Sequence, residues 1–248
     1  MIDRLRREGS FLPVLTLVAS LMVIWYAGAV YLNSTQLIDR YQKQDINWNF
    51  GRLAADAWRM ERPVLPSPHQ VAVELKKTVL DKPVTSKRSL LYHAGITLSS
   101  SLLGFALGTL LGVALAIGIV YVTTLDRSLM PWIIASQTVP ILALAPMIIV
   151  VLGSVGITGL FPKSVISMYL CFFPVVVGMV KGLRSPEPIL IDQMHTYSAS
   201  PTQVFFKLRL PSSIPFLFAS LKVAIALSVV GAIVAELPTG GQGGLGAR

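Results

Sequence analysis

SPEPILIDQMHTYSASPTQVFFKLRLPSSIP, residues 185–215, is a polar, helix-capped stretch set between two long apolar runs. Ser200 precedes Pro201 and stands three residues before Gln203, the S-x-x-Q spacing of a capping box with proline at the first helical position. A short helix is therefore expected to begin at 201. Ser185 and Pro186 give an earlier start signal, and Leu190, Met194 and Tyr197 recur at i, i+4 and i+7 as one apolar stripe. Two short helices joined by a bend at 198–200 are expected. Such a unit, exposed between spans and too short to cross a membrane, is suited to docking into another protein.

The sequence around this stretch sets its surroundings. The chain has 248 residues, of which 53% are hydrophobic and 13% charged, with a mean hydropathy of +0.66. These values exclude an ordinary soluble domain. Charge-free runs cover 9–38, 89–125, 128–162 and 164–180, and a spanning helix needs about 20 residues to cross a hydrocarbon core of roughly 30 Å. The fourth run reaches that length if it continues to Leu183 with Lys181 snorkelling, and a fifth apolar stretch, 214–237, carries Lys222 inside it. The fold class is all-α: a polytopic transmembrane helical bundle with about five spans, near 11–32, 94–121, 130–152, 164–183 and 214–236. The expected organisation is 1–33 as an N-terminal cytoplasmic segment with the first span, 34–92 as an extracytoplasmic segment, and 93–248 as a core that includes the docking segment 185–213. The first apolar run exceeds a signal-peptide core and is not followed by a small-x-small cleavage pattern, so an uncleaved anchor is expected.

The net charge of +9 resolves by position. Arg4, Arg6 and Arg7 precede the first span, and Lys181, Arg184, Lys207 and Arg209 flank the docking segment. The positive-inside rule places both in the cytoplasm, and four crossings between them return the chain to that side. Ten basic residues between 33 and 93 then fall outside, but that segment also carries six acidic residues and long translocated segments obey the bias weakly. The cations are dispersed and lack a partner motif, so no nucleic acid is expected as a ligand.

Within 34–92, Pro63, Pro66 and Pro68 mark a break, and Val71, Val73 and the 75–80 run suggest a short interfacial helix against membrane lipid. In the second span Gly104, Gly108, Gly112 and Ala116 repeat every four residues, a face that lets a neighbouring helix approach closely. Pro140 and Pro146 bracket ILALA in the third span, where each removes a backbone hydrogen bond; the kinks serve either a gate or irregular packing. Lys222 either snorkels to the cytoplasmic interface or lines a pathway. Glu236, at the outer end of the last span, is either interfacial or part of the route. The following PTGGQGGLG lacks the Lys-Ser/Thr ending of a phosphate loop. His69, His93 and His195 are scattered without metal-ligand spacing, so catalytic residues and metal ligands are expected to be absent. Cys171, the only cysteine, reads as a small core residue.

DQMHTYSAS followed by LRLPSSIP resembles the "EAA" signature of bacterial ABC-importer permeases. Asp192, Gln193 and Met194 stand at the EAA positions, Ser198 at the glycine position beside Ala199, and Leu210 and Pro211 at the closing leucine-proline pair. LPSP at 65–68, HAGITLSSSLLGF at 93–105, PILALAP at 140–146 and LKVAIALSVVGAIVAEL at 221–237 are similar to the nitrate, sulfonate and taurine branch, so the likeness covers roughly 65–246. It implies an inner-membrane importer subunit working by alternating access. It also implies a second permease copy in a homodimer, a separate ABC ATPase subunit that uses the ATP, and an extracytoplasmic solute-binding protein. The chain itself is expected to bind no cofactor. The D-x-M-x-T-Y run is similar to that of permeases for thiamine pyrimidine precursors, which adds that solute class to nitrate-, sulfonate- and taurine-like ones. Two departures stand out. Ser198 replaces the residue that enters left-handed geometry freely, at a cost of about 1 kcal/mol if that geometry is kept. The family also continues past the GLG run into a further span, whereas here the sequence stops at Arg248 after five crossings. The competing expectation is a C-terminally truncated, non-transporting membrane scaffold or permease remnant.

Overall fold

Among the residues that the computed structural model describes, 2–239 and 243–247 with side chains from 13 onward, all regular structure is helical. The side chains of Arg4, Arg6 and Arg7 and the tail residues Gly240, Gly241, Gln242 and Arg248 lie outside the described residues. The chain divides into two compact units, Met1–Pro83 and Val84–Arg248.

The first unit is built on α1 (Ile2–Lys43), which runs well beyond the apolar stretch expected to end near 32. Its extension is amphipathic: Leu37 and Tyr41, one turn apart, are buried against Leu53 and Ala57 of α2 (Phe50–Arg59). The sequence reading assigned no helix to 50–59. Asn49 starts it by accepting the Arg52 N–H at 2.9 Å. Helix α3 (Pro68–Val79) begins after the Pro63–Pro66 break, and Gln70 reaches back to accept the Ser67 N–H at 2.9 Å. The fully buried Asn33 pins the connection to α1, accepting from the Val64 and Leu65 N–H groups at 2.7 and 3.2 Å and donating to the Leu65 carbonyl at 3.0 Å.

The second unit is a three-helix core of α4 (Leu90–Tyr121), α7 (Leu160–Leu183) and α10 (Leu210–Glu236). The four-residue row of small residues is its central seam. Cβ atoms built on Gly104 and Gly108 land on Ser167 and Cys171 of α7, and one on Gly112 comes to 2.8 Å from the Val175 Cβ. The row therefore sets the α4–α7 distance, because any larger side chain must push the backbones apart. Farther along α7, Gly178 and Gly182 meet Ser220 and Ser213 of α10 in the same way.

The third expected span, 130–152, is corrected. It is two helices, α5 (Thr123–Ser136) and α6 (Ile141–Ser154), bent by 102° across the intervening break. Pro140 caps α6 and disfavours helical geometry at Val139, which separates the two. Pro146 lies inside α6 without ending it. The Ser136 carbonyl at the end of α5 accepts from the Tyr169 hydroxyl on α7. Four helical runs among the described residues are long and apolar enough to cross a membrane: Pro13–Lys43, Leu90–Tyr121, Leu160–Leu183 and Pro201–Thr239. The α5–α6 pair makes a fifth if it is one broken span, in agreement with the all-α polytopic bundle.

Candidate functional site

The docking segment emerges as a connected unit between α7 and α10. Helix α8 (Pro188–Thr196) starts two residues after Pro186, with Glu187 at its N-cap and Pro188 at its first position. It contains no buried residue: of the expected stripe, Leu190 and the C-cap residue Tyr197 present 41% and 74% of their surface and Met194 is half-buried, while Ile189 nearby presents 69%. Asp192 and Gln193 are exposed beside it, and Met194 and Ala199 are half-buried. The second expected helix is corrected in extent. Helix α9 (Pro201–Val204) does not stop before the last span but passes through a π turn, Phe205–Arg209, into α10. Its start is as the spacing predicts: the Gln203 N–H donates to Ser200 Oγ at 3.3 Å and the Ser200 N–H donates to Gln203 Oε1 at 2.9 Å.

Ser198 ends α8 in left-handed geometry, with φ of 55°. The Ser198 N–H donates to the His195 carbonyl at 2.8 Å and the Ala199 N–H to the Met194 carbonyl at 3.0 Å, the two bonds of a Schellman ending. The glycine position of the signature is thus the position whose backbone calls for glycine. Ser198→Gly is expected to relieve about 1 kcal/mol and to slow hydrogen exchange at the Ala199 amide roughly fivefold. Unchanged or faster exchange would show that the serine side chain itself holds the bend.

The root of this segment is anchored although its tip is exposed. Arg184, just after α7, forms a 2.8 Å ion pair with Asp126 of α5, and Arg209 donates to the Leu183 carbonyl at 3.1 Å, satisfying a C-terminal acceptor of α7. Val204 is buried, and the Phe205 ring packs edge-on to Tyr121 at 5.8 Å. The carboxy-terminal ends of α4 and α7, the start of α5 and the start of α10 therefore meet at one end of the core.

At the other end lies a polar cluster that sequence reasoning did not assemble. Glu236 is fully buried; it accepts from the Thr97 hydroxyl at 2.8 and 2.9 Å and from the Gly246 N–H at 2.9 Å. Thr97 Oγ1 also accepts from the Leu245 N–H, and His93 Nδ1 accepts from the Gly244 N–H, both at 2.9 Å. Lys163, 1% exposed, donates to the Gly243 carbonyl at 2.6 Å. The strap 243–246 thus ties the first turns of α4 and α7 to the last turn of α10. Gly244 is required twice over: its φ is +124°, and a Cβ there lands on the Glu236 carboxylate. No local signal in the sequence joins Lys163 to the glycine run. Its one visible mark is a lysine inside the first turn of an apolar helix, a placement that demands a partner.

Of the residues proposed for a pathway, Pro140 and Pro146 flank Ala145, which packs with Ile166 and Ala235 beside Glu236. These three therefore share the end that carries the strap. Lys222 stands apart on an exposed face of α10. Among the described residues no group of His, Cys, Asp and Glu has the arrangement of a metal site.

A family model described as "Binding-protein-dependent transport system inner membrane component" matches residues 108–248, which include the 185–213 segment, the bent α5–α6 pair and the Lys163–Glu236 end. The formylaminopyrimidine transport permease protein of Halalkalibacterium halodurans is 31% identical over 184 residues, 74% of this chain and 68% of that protein. The riboflavin transport system permease protein of Chloroflexus aurantiacus is 31% identical over 184 residues, 74% of this chain and 65% of that protein. A putative aliphatic sulfonates transport permease protein of Bacillus subtilis is 26% identical over 183 residues, 74% of this chain and 62% of that protein.

Proposed function

The chain belongs to the family of binding-protein-dependent transport system inner membrane components, and from that premise we propose that it is the permease subunit of an ATP-driven importer for a small polar solute. It works by alternating access, with its N-terminus and the α8–α9 segment in the bacterial cytoplasm. ATP is bound and hydrolysed on a separate ABC ATPase, an extracytoplasmic protein delivers the solute, and two copies of the permease enclose the route. The observation that carries this reading is the exposed apolar group Ile189, Leu190 and Tyr197 at a helix that buries no residue in the chain and whose root is fixed to the core. Lys181, Arg184, Lys207 and Arg209 around it support a cytoplasmic position. Closure of an ATPase dimer displaces α8, and the close-packed α7 and α10 carry that displacement as a rigid body. For the solute, relatives named for formylaminopyrimidine and riboflavin favour a flat nitrogen heterocycle such as a thiamine pyrimidine precursor over a sulfonate- or nitrate-like anion.

The test is co-purification from detergent with the ATPase of the same organism, comparing the intact chain with one in which 192–208 is scrambled, and with Asp192→Lys. Retention of the ATPase by the intact chain alone, and loss of solute uptake in Asp192→Lys at normal membrane levels, are expected. A well-folded intact chain that retains no ATPase, or Asp192→Lys with full uptake, would overturn the reading.

A further inference from the structure

Between α9 and α10 the helix widens. Phe205–Arg209 form a π turn, closed by the Leu210 N–H donating back to the Phe205 carbonyl, and Pro211 follows at once. In an unbroken α-helix the Pro211 ring would crowd the Lys207 carbonyl and leave it without a donor. Proline alone does not demand the wider turn, since Pro146, Pro174 and Pro215 all sit inside α-helices. What differs here is the hold on both flanks. Val204 is buried and Phe205 lies on Tyr121 before Pro211, while Arg209 is bound to the Leu183 carbonyl.

We propose that Pro211 is a positioning residue: by maintaining the π turn it sets the rotational register of α9 and the docking bend relative to α10. A π turn is one residue inserted into an α-helix. Relaxing it to α geometry rotates everything on its amino-terminal side by about 100° and shifts it by about 1.5 Å. Val204 and Phe205 would leave their seats, and the bend at Ser198 and helix α8 would face a new direction. Pro211 itself is exposed, so it acts through the backbone and not through packing. This proposal rests on the reading of α8 as an ATPase-docking helix for its functional consequence, but its structural claim stands without a partner.

The geometry supplies a reversal test. Pro211→Ala permits an ordinary α-helix in the wrong register, whereas Pro211→Ala combined with deletion of the exposed Lys207 gives an α-helix with both flanks back in register. Tyr121→Cys with Phe205→Cys, in a Cys171→Ala background, reports register through the rate of cross-linking by a short thiol-reactive bridge. Cross-linking is expected to slow roughly tenfold in Pro211→Ala and to recover in the deletion variant, with solute uptake per ATP hydrolysed following the same pattern; tenfold corresponds to about 1.4 kcal/mol. Membrane levels should not fall, because alanine stabilises a helix interior relative to proline. Unchanged cross-linking in Pro211→Ala, or a deletion variant as slow as Pro211→Ala, overturns the proposal. Restored cross-linking without ATPase retention by any variant, the parent included, would leave the register claim standing and overturn the docking reading.

Discussion

Glu236→Ala is expected to cost about 3 kcal/mol of stability, enough to lower the folded fraction after detergent extraction by more than tenfold. The carboxylate is fully buried and accepts from Thr97 and from the Gly246 N–H, while Thr97 in turn holds Leu245. Alanine removes these acceptors together and leaves Lys163, 1% exposed, without the negative charge that balances it at this end of the core. Membrane hydrogen bonds are often worth under 1 kcal/mol, because the unfolded state in lipid finds other partners. A fully buried carboxyl group that takes both an N–H and an O–H donor is at the strong end of that range. The contrast with Glu236→Gln separates the contributions: glutamine keeps an acceptor but not the charge, so it should lose about half as much. Lys163→Met added to Glu236→Gln should recover part of that loss, because the two sites then lack an unbalanced charge in either direction. Thermal unfolding in detergent of the parent, Glu236→Gln, Lys163→Met and the double variant gives the cycle. Strictly additive losses, or a Glu236→Ala variant as stable as the parent, would show that the strap does not hold the helix ends.

What could be read from the sequence was what is local or periodic. The Ser200–Gln203 box needs only four consecutive residues, and its bonds form as the spacing predicts. The Gly104, Gly108, Gly112 row keeps its meaning because helical periodicity alone puts the three on one face. Ser198 was legible from its place in the signature, and its φ of 55° accounts for the glycine usually found there. The misses are non-local or compete with a stronger signal. At 128–162 the kink expected at Pro140 is present, but its size, a 102° break into two helices with Tyr169 bonded to the Ser136 carbonyl, depends on a contact with α7 that the sequence does not show. Helix α2 was hidden because its buried face is only Leu53 and Ala57, too sparse a stripe to stand out before Leu37 and Tyr41 are known to face it. The polar clamp was out of reach, since Thr97, Lys163 and Glu236 come together only once α4, α7 and α10 pack.

The clamp and the docking segment sit at opposite ends of the same two helices, so the seam between them decides whether a push at one end arrives at the other. Gly108→Leu is the substitution expected to break that seam. Even the first carbon of the new side chain lands on the Cys171 Sγ, with the Met168 carbonyl at 3.1 Å and the Phe172 nitrogen at 3.3 Å behind it. α7 is also close-packed against α10, where Gly178, Gly182 and Gly231 leave no space for a Cβ, so moving it away from α4 disturbs a second tight seam. Overpacking of a well-packed core costs about 1–3 kcal/mol for extra methylenes that find some space. A leucine with none should exceed that range and leave little folded chain in the membrane. Gly108→Ala isolates the cause. Alone it should be clearly destabilising, whereas with Cys171→Ala the Sγ is gone and the two remaining contacts need shifts of only a few tenths of an ångström. Cys171→Ala by itself should be mild, since it loses a weak S–H bond to the Gly104 carbonyl at 3.4 Å and a small volume. Recovery in the double variant, read as monodisperse protein after extraction, would place the strain at that one sulfur. If Gly108→Leu extracts as well as the parent, the α4–α7 seam yields, and α7 and α10 cannot be the rigid carriers that coupling requires.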